Sequence, residues 1–373
     1  MSDFQQVLDQ IETRRQNQWN AIPTFFERLS PYFPGIQKAI YTLITASSGV
    51  GKSKLTRELF IYGPLRFLKA HPECPLTYRP FYFSLEETRE EFILNGILGE
   101  LSSRYGVELD LMTLQGVGVN RHRLTPEVMG MIASLRDYFE EFLTQVTFVD
   151  NVRNPTGIFF YMREYAWRNG TFFYKGVQVT DPKGSWDKYV PHDPNQIVNV
   201  IVDHLSLLQV EKREDKLMNL METMEHFSNH YAIALRNKLG MSITVVQQQS
   251  ADKERVESTY KGTTIEAKLE PSLDGLGDSK KTQRDANYVL GLFAPNRYDI
   301  KVHRNYDITL LQDTYRSLTV LKARSAPSGA KISLWMNGAT NEFRELPPAA
   351  DMNDLLTGDP DPDKYRPYLP RKV

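Results

Sequence analysis

The chain has 373 residues and a formal net charge of -1, with a sequence pI of about 6.7 and a mean hydropathy of -0.44. Hydrophobic residues make up 41% of it and charged residues 24%, which excludes a collagen-like, low-complexity or wholly disordered protein. A near-neutral chain has no global positive field, so any site for a polyanion must be local.

Cysteine content and hydropathy limit where the protein can act. Cys74 is the only cysteine in the sequence, so an intramolecular disulfide is impossible and a Cys-rich zinc module is excluded. The sequence has no run of roughly 18 apolar residues that would span a bilayer, and its start lacks the apolar core of a signal peptide. We therefore expect a cytoplasmic protein with no membrane partner.

The predicted elements begin with an arm and continue into an α/β domain. Residues 1–20 carry apolar side chains at helical spacing (Phe4, Val7, Leu8 and Ile11), which predicts an amphipathic helix. Within 21–346, apolar runs predict strands over 39–46, 79–85, 146–150, 198–203, 242–247, 286–294, 317–323 and 331–336. Helical patterns lie over 52–68, 88–104, 125–144 and 211–239. Strands that are apolar throughout and alternate with helices predict an α/β fold with a largely parallel central sheet flanked by helices.

Three segments depart from this alternation. Residues 165–195 are aromatic and rich in turn formers, which predicts an inserted β-hairpin that either serves a partner or DNA or only elaborates the structure. Residues 251–285 are polar and contain glycines, as loops do. The acidic, proline-rich residues 347–373 predict a solvated tail.

A phosphate-binding motif lies between the first predicted strand and the first helix of the domain. It fits the pattern [AG]-x4-G-K-[ST] and consists of Ala46, Ser47, Ser48, Gly49, Val50, Gly51, Lys52 and Ser53. Backbone N–H groups of such a loop surround phosphate oxygens, while the lysine bridges the outer phosphates and the serine hydroxyl ligates Mg²⁺. The motif predicts a P-loop nucleotide site.

Acidic residues at two later strand ends could complete this site. Asp203 ends the most apolar predicted strand, which is where a P-loop fold places the carboxylate that orients the Mg²⁺ shell. Glu86 and Glu87 follow another strand, and one of them could activate a water molecule. The alternatives are ordinary ones, because Asp is a common turn former and Glu a common residue at the start of a helix.

The order of these motifs resembles the RecA-like ATPase core of DnaB-type replicative helicases over roughly residues 20–340. The resemblance lies in ITASSGVGKS, FSLEE, VIVDHLSLL, ITVVQQQS, GDSKKTQRDANYVL and LKARSAPSG. One departure is His204, which stands where the family usually has Tyr. A second is the short stretch of about 20 residues before the core, where DnaB-type helicases carry a separate domain that binds primase.

The resemblance implies a role for each motif. Glu86, rather than Glu87, becomes the catalytic base, and Gln248, with Gln247 close behind, becomes the sensor of the γ-phosphate. Lys322 and Arg324 become the residues that reach the γ-phosphate of the neighbouring subunit. Lys280, Lys281 and Arg284 become contacts to single-stranded DNA. Each has a structural alternative: a polar residue at a strand end, a cation on an edge strand, or a solvated loop.

Taken together, the sequence predicts an ATP- and Mg²⁺-dependent DNA helicase that assembles as a hexameric ring on single-stranded DNA. The arm would then serve as a linker helix between subunits, and the alternative is that it folds back on its own domain. A loader or primase is a possible partner. Two alternatives stay open: a recombinase-like ATPase that forms filaments, and a regulatory P-loop ATPase that does not act on DNA. His226 and His230 have a spacing compatible with metal, but a solvated helical face explains them better.

Overall fold

The computed structural model describes residues 3–182, 184–249, 269–276 and 281–370. Within these ranges nine strands form one sheet with the order β9-β8-β7-β6-β1-β5-β4-β2-β3. Their bounds are β1 Tyr41–Ala46, β2 Thr77–Ser84, β3 Thr147–Val149, β4 Gln196–Asp203, β5 Ser242–Gln248, β6 Tyr288–Phe293, β7 Tyr315–Ala323, β8 Lys331–Asn337 and β9 Glu342–Glu345. Of these nine strands, the sequence analysis missed β9, which is short and half polar.

The sheet is parallel over most of its width. The strands from β6 across to β3 pair in parallel, and β7, β8 and β9 continue the sheet in antiparallel fashion. All residues of β1 are buried, with Ile44 in the core on one face and Leu43 in the core on the other. The predicted α/β architecture with a largely parallel central sheet is confirmed.

Helices cover both faces of the sheet. Their bounds are α1 Asp3–Gln16, α2 Lys52–Arg57, α3 Gly63–Ala70, α4 Arg89–Tyr105, α5 Leu111–Leu114, α6 Pro126–Ser134, α7 Arg136–Gln145, α8 Pro155–Arg168, α9 Leu220–His226, α10 Ile233–Leu239, α11 Thr282–Asp285, α12 Ile308–Leu311, α13 Ala349–Met352 and α14 Pro362–Tyr365. Wider π-helical turns, Glu58–Tyr62 and Phe227–Ala232, join α2 to α3 and α9 to α10. Helices α2 to α7 pack mainly on one face, and α8 to α10 on the other.

One predicted helix was wrong at its start. The prediction of a helix from residue 211 fails because Lys212–Arg213 and Lys216–Leu217 pair as a small hairpin. Glu214 and Asp215 form its turn with positive φ angles of 50° and 65°. The helix begins only at Leu220, where a capping box formed by Asn219 and Glu222 satisfies its first N–H groups.

The predicted insertion is a small antiparallel sheet that packs on its own domain. Residues 165–168 belong to α8, and the strands Gly170–Tyr174, Val177–Gln178 and Lys188–Pro191 follow. The ring of Phe172 is buried, with ring centroids of Trp186 and Tyr189 at 4.9 and 5.0 Å. These aromatic side chains therefore fill a local core.

The expectation of a solvated tail was wrong for the described part of residues 347–370. Met352 and Tyr365 are buried in a cluster with Trp335 of β8. The Nε1 of Trp335 also donates a hydrogen bond to the carbonyl of Tyr368 at 3.1 Å. A few apolar residues thus anchor the segment, although the aspartates that dominate its composition face solvent.

A half-buried carboxylate links the antiparallel half of the domain. Glu270 accepts hydrogen bonds from His303 Nε2 at 3.0 Å and from Lys331 Nζ at 2.8 Å, and Arg304 lies 3.6 Å away. Burial alone would raise the pKa of Glu270. The hydrogen bonds of His303 and Lys331 and the charge of Arg304 outweigh that effect and lower the pKa to about 2.

This pKa makes part of the stability dependent on pH. The folded-state pKa lies below the ordinary value of 4.5, so ionised Glu270 stabilises the fold above about pH 4.5, and this contribution is lost as the pH falls towards 2. We predict that Glu270→Gln lowers the free energy of unfolding by about 1–2 kcal/mol at pH 7, since solvent screens part of the interaction, and by progressively less below pH 4.5. Denaturant titrations at a series of pH values measure the difference.

A matched control for this prediction is Glu141→Gln. Glu141 pairs with Lys69 at 2.7 Å, but both side chains are mostly exposed, so the change should alter stability little at any pH. A loss for Glu270→Gln that stays the same from pH 7 to pH 3 would contradict the account.

Candidate nucleotide-binding site

The predicted P-loop joins the buried end of β1 to the start of α2. Gly49 and Gly51 adopt positive φ angles of 68° and 107°, a region that residues with a Cβ rarely occupy. A Cβ at Gly51 would also lie 2.9 Å from the Sδ of Met336. The glycines of the motif are therefore required by the backbone here, and the strand–loop–helix context is confirmed.

Side chains from a distant part of the chain hold this loop. Arg316 is buried and its Nε donates to the carbonyl of Val50 at 2.8 Å, while Arg297 donates to the carbonyl of Ser48. Within the loop, Lys52 Nζ donates to the carbonyl of Ser47 at 2.8 Å. Neither arginine is recognisable from the sequence, because each contacts a backbone carbonyl about 250 residues away and belongs to no motif.

Eight of the predicted site residues line one cleft, three of them being Ser48, Gly49 and Gly51 of the P-loop. The cleft has a volume of about 490 Å³, and its walls include Lys52, Ser53, Glu86, Asp203 and Gln248. The carboxyl ends of β2, β4 and β5 point to the same edge of the sheet as the P-loop, so side chains from separate segments meet there. The structure thus brings together the predicted phosphate, metal, base and sensor positions.

The two neighbouring glutamates have different surroundings. Glu87 forms an ion pair with buried Arg57 and accepts a hydrogen bond from Asn95 Nδ2 at 2.6 Å. Glu86 is 67% exposed at the cleft, with His204 Nε2 at 3.6 Å from its Oε2. The Glu87 carboxylate is therefore occupied by structural contacts. Of the two glutamates, Glu86 has the carboxylate that can act on a molecule in the cleft.

Asp203 is the best-placed ligand for a cation. It is buried, and Tyr82 Oη donates to its Oδ2 at 2.9 Å. Its Oδ1 is also buried and finds no hydrogen-bond partner in the described part of the chain. A carboxylate oxygen without a partner, in the same cleft as the Ser53 hydroxyl, suits Mg²⁺, which prefers hard oxygen ligands. These two residues fit the predicted metal role.

Two basic groups of the cleft have lowered pKa values. Burial is the main cause for Lys54, whose pKa falls to about 8, and the charges of Arg57 and Arg316 add to it. Burial also lowers the pKa of His204, against the opposing effect of Asp203 and Glu86. At neutral pH the His204 ring is therefore mainly a neutral hydrogen-bonding group.

The three glutamines at the end of β5 separate into different roles. Gln248 faces the cleft. Gln247 donates to the carbonyl of Leu276 at 2.9 Å, and Gln249 donates to Thr45 Oγ1 at 2.8 Å. Only Gln248 of the three lines the cleft, which agrees with its selection over Gln247 as the sensor.

Lys322 and Arg324 do not lie in this cleft. Lys322 Nζ donates to the carbonyls of Gln283 and Arg284 at 2.5 and 3.1 Å, and Arg324 donates to the carbonyl of Arg284 at 2.5 Å. The Arg324 N–H bonds to Asn287, which pairs with Tyr41 at the start of β1. The six residues of β1 span about 20 Å, so Arg324 lies at the edge of the sheet opposite the P-loop.

The predicted DNA contacts lie near these two residues. Lys281 is exposed and pairs with Glu225 at 2.7 Å, and Arg284 is exposed on α11. Lys280 lies outside the described residues. Among those that are described, no group of three His, Cys, Asp or Glu residues could hold a metal ion, so His226 and His230 remain a pair on a helical face. No described helix is long and apolar enough to cross a membrane.

The surroundings of Glu86 and Glu87 predict that only the Glu87 substitution lowers stability. Glu87→Gln breaks a buried ion pair and leaves Arg57 without its partner, so we expect a loss of about 3 kcal/mol in the free energy of unfolding. Glu86→Gln should leave stability unchanged because its carboxylate is largely exposed. Denaturant unfolding of the two variants tests this, and equal losses would contradict the assignment.

Comparison with known proteins identifies the fold. No family model and no curated protein matches the chain. Among solved structures, the chain is similar to one whose title describes an ATPase domain, with a TM-score of 0.65 and 16% identity over 93% of this chain and 100% of that one. It is also similar to "The Structure Of A DnaB-Like Replicative Helicase And Its Interactions With Primase", with a TM-score of 0.64 and 16% identity over 91% of this chain and 68% of that one. The chain therefore has the RecA-like fold of DnaB-type ATPase cores.

Proposed function

We propose that the protein is an ATP-dependent DNA helicase of the DnaB type, which forms a hexameric ring and moves along single-stranded DNA. The observation that carries this proposal is the convergence of Lys52, Ser53, Glu86, Asp203 and Gln248 on one cleft. These residues come from four separate segments of the chain, and together they supply the parts that phosphoryl transfer from ATP to water requires. The fold shared with DnaB-type ATPase cores supports it further.

Each residue of the cleft has a defined task in ATP hydrolysis. The P-loop N–H groups and Lys52 bind the phosphates, and the Glu86 carboxylate accepts a proton from the attacking water. Ser53 and Asp203 would hold Mg²⁺, which when bound would neutralise negative charge on the phosphates. Gln248, the last residue of β5, would contact the γ-phosphate and change its position when ATP is hydrolysed.

The cleft contains only part of the groups that an efficient ATPase needs. Among the described residues that line the cleft, the Lys and Arg side chains are Lys52, Lys54 and Arg57. Arg57 is already paired with Glu87. Lys322 and Arg324 lie about 20 Å away at the other edge of the sheet. We infer that they act on the ATP bound by the next subunit, where an arginine supplied in trans stabilises the charge of the transferring phosphoryl group.

An assembly of subunits also accounts for the arm. Phe4, Val7, Leu8 and Ile11 of α1 are between 41% and 72% exposed, so the apolar stripe does not fold back on its own domain. Trp19, just after the helix, contacts Phe67 with ring centroids 5.2 Å apart and anchors the base of the arm. We propose that the stripe packs on a neighbouring subunit, where its apolar surface is removed from water.

DNA would be held at the ring centre by basic groups. Lys281 and Arg284 are exposed, and with Lys280 they would bind the phosphate backbone in a sequence-independent, salt-sensitive mode. A loader or primase is a further possible partner, and the second structural neighbour is described by its title together with primase. A soluble, cytoplasmic setting fits this function.

The proposal predicts ATP hydrolysis that single-stranded DNA stimulates. We expect turnover to rise by at least about tenfold with DNA, and to be lost in Lys52→Ala, which cannot bind the outer phosphates. Arg324→Ala should lower turnover by about 10³-fold or more, the value of an arginine finger, without preventing nucleotide binding. Steady-state hydrolysis with and without a DNA oligonucleotide, at a known oligomeric mass, measures these effects.

The same measurements separate the alternatives. Hydrolysis that DNA does not change would favour a regulatory ATPase that does not act on DNA. Stimulation by DNA together with open filaments in electron micrographs, in place of closed rings, would favour a recombinase-like ATPase. Full activity in Arg324→Ala would contradict the role in trans. Lys216→Ala is a matched control, because Lys216 lies on an exposed hairpin away from the cleft.

A further inference from the structure

His204 lies beside the proposed catalytic base. It follows Asp203 directly, lines the same cleft as Glu86, and its side chain is only 13% exposed. Its Nε2 is 3.6 Å from Oε2 of Glu86. Catalytic hydrogen bonds are often this long in an empty site and shorten when the substrate binds. The imidazole is therefore within a small side-chain rotation of a hydrogen bond to the carboxylate.

The backbone that carries His204 is fixed. Asp203 ends β4, whose residues pair with β2 up to Ser84, and Leu205 after it is buried in the core. The carbonyl of His204 also accepts a hydrogen bond from the N–H of Leu207 at 3.0 Å. A ring on such a backbone has few alternative positions, which makes it a suitable anchor for a mobile side chain.

Glu86 needs such an anchor. Its backbone is held by its neighbour, because Ser84 Oγ donates to the carbonyl of Glu87 at 2.6 Å and Arg57 binds the Glu87 carboxylate. The Glu86 side chain is 67% exposed, and His204 is the group in ion-pair range of it among the described residues. Without this contact, the carboxylate could sample several rotamers and spend little time pointed at a water molecule.

We propose that His204 is a positioning residue for ATP hydrolysis: its Nε2–H donates to the Glu86 carboxylate and holds it in the orientation that activates water. The proposal rests on the proposed function, because it assigns to Glu86 the role of base. It gives a role to this largely covered imidazole, which faces the cleft. The donation requires only a proton on Nε2, which the ring carries in one neutral tautomer and in the protonated form.

Three substitutions at this position test the geometry. His204→Leu keeps the size and removes the donor, so we expect kcat to fall by about tenfold with KM changed by less than about twofold. His204→Gln places an N–H donor close to the position of Nε2 and should restore most of the turnover. His204→Asn places its donor near Nδ1 and should not. Thermal unfolding of each variant shows whether the fold is kept.

A double-mutant cycle shows whether His204 acts through Glu86. Once Glu86→Gln has removed the base, adding His204→Leu should change the residual turnover by less than about twofold, since the partner of the imidazole is gone. Equal losses in the two backgrounds, or a rise in KM with kcat unchanged, would overturn the inference. So would equal rescue by Gln and Asn.

The cycle also keeps this inference separate from the proposed function. The cycle is measured on ATP hydrolysis without DNA. Each of the P-loop ATPases considered above would show this activity. Hydrolysis that DNA fails to stimulate would overturn the helicase proposal and still allow the cycle to be measured. Normal stimulation with an additive cycle would overturn only the role of His204.

Discussion

The structure depends on the parallel pairing of β1, β5, β4 and β2. Because parallel strands end at the same edge, this pairing places the P-loop after β1, Gln248 at the end of β5, Asp203 at the end of β4 and Glu86 just after β2. No local segment could assemble these groups. The hydrophobic residues that fill both faces of the sheet therefore also determine the spacing of the polar groups at its edge.

A second consequence of the topology is that β7 carries basic side chains to both ends of the strands, one beside the P-loop and one at the opposite edge of the sheet. β7 runs antiparallel to β6, so it begins beside the P-loop and ends at the opposite edge. Arg316 at its start holds the carbonyl of Val50, and Lys322 and Arg324 at its end point away from the cleft. This strand thus holds the P-loop at its start, and the two cations at its end are the ones that we propose act on the ATP of another subunit.

Local features of the sequence predicted much of this arrangement, and long-range contacts account for what was missed. The P-loop was predictable because its glycines and Lys52 are contiguous, and the core strands because their apolar runs are buried on both faces. Arg316 gives no such signal, since its partner is a backbone carbonyl 266 residues away. The choice of Glu86 over Glu87 came from family resemblance, and the structure adds its physical reason in Arg57. The prediction for the tail was wrong because its aspartates and prolines indicate exposure to solvent, whereas its packing depends on a few apolar residues such as Met352 and Tyr365.

The central claim is that an ATP site is completed by a neighbouring subunit, and mixing two inactive chains tests it most directly. A subunit with Lys52→Ala still offers Arg324, and a subunit with Arg324→Ala still offers an intact P-loop. If the residues act in trans, an equal mixture assembled together regains hydrolysis at up to about a quarter of its interfaces. If the mixture hydrolyses ATP no faster than the two variants separately, both residues serve the same chain or Arg324 plays no part, and the account is wrong.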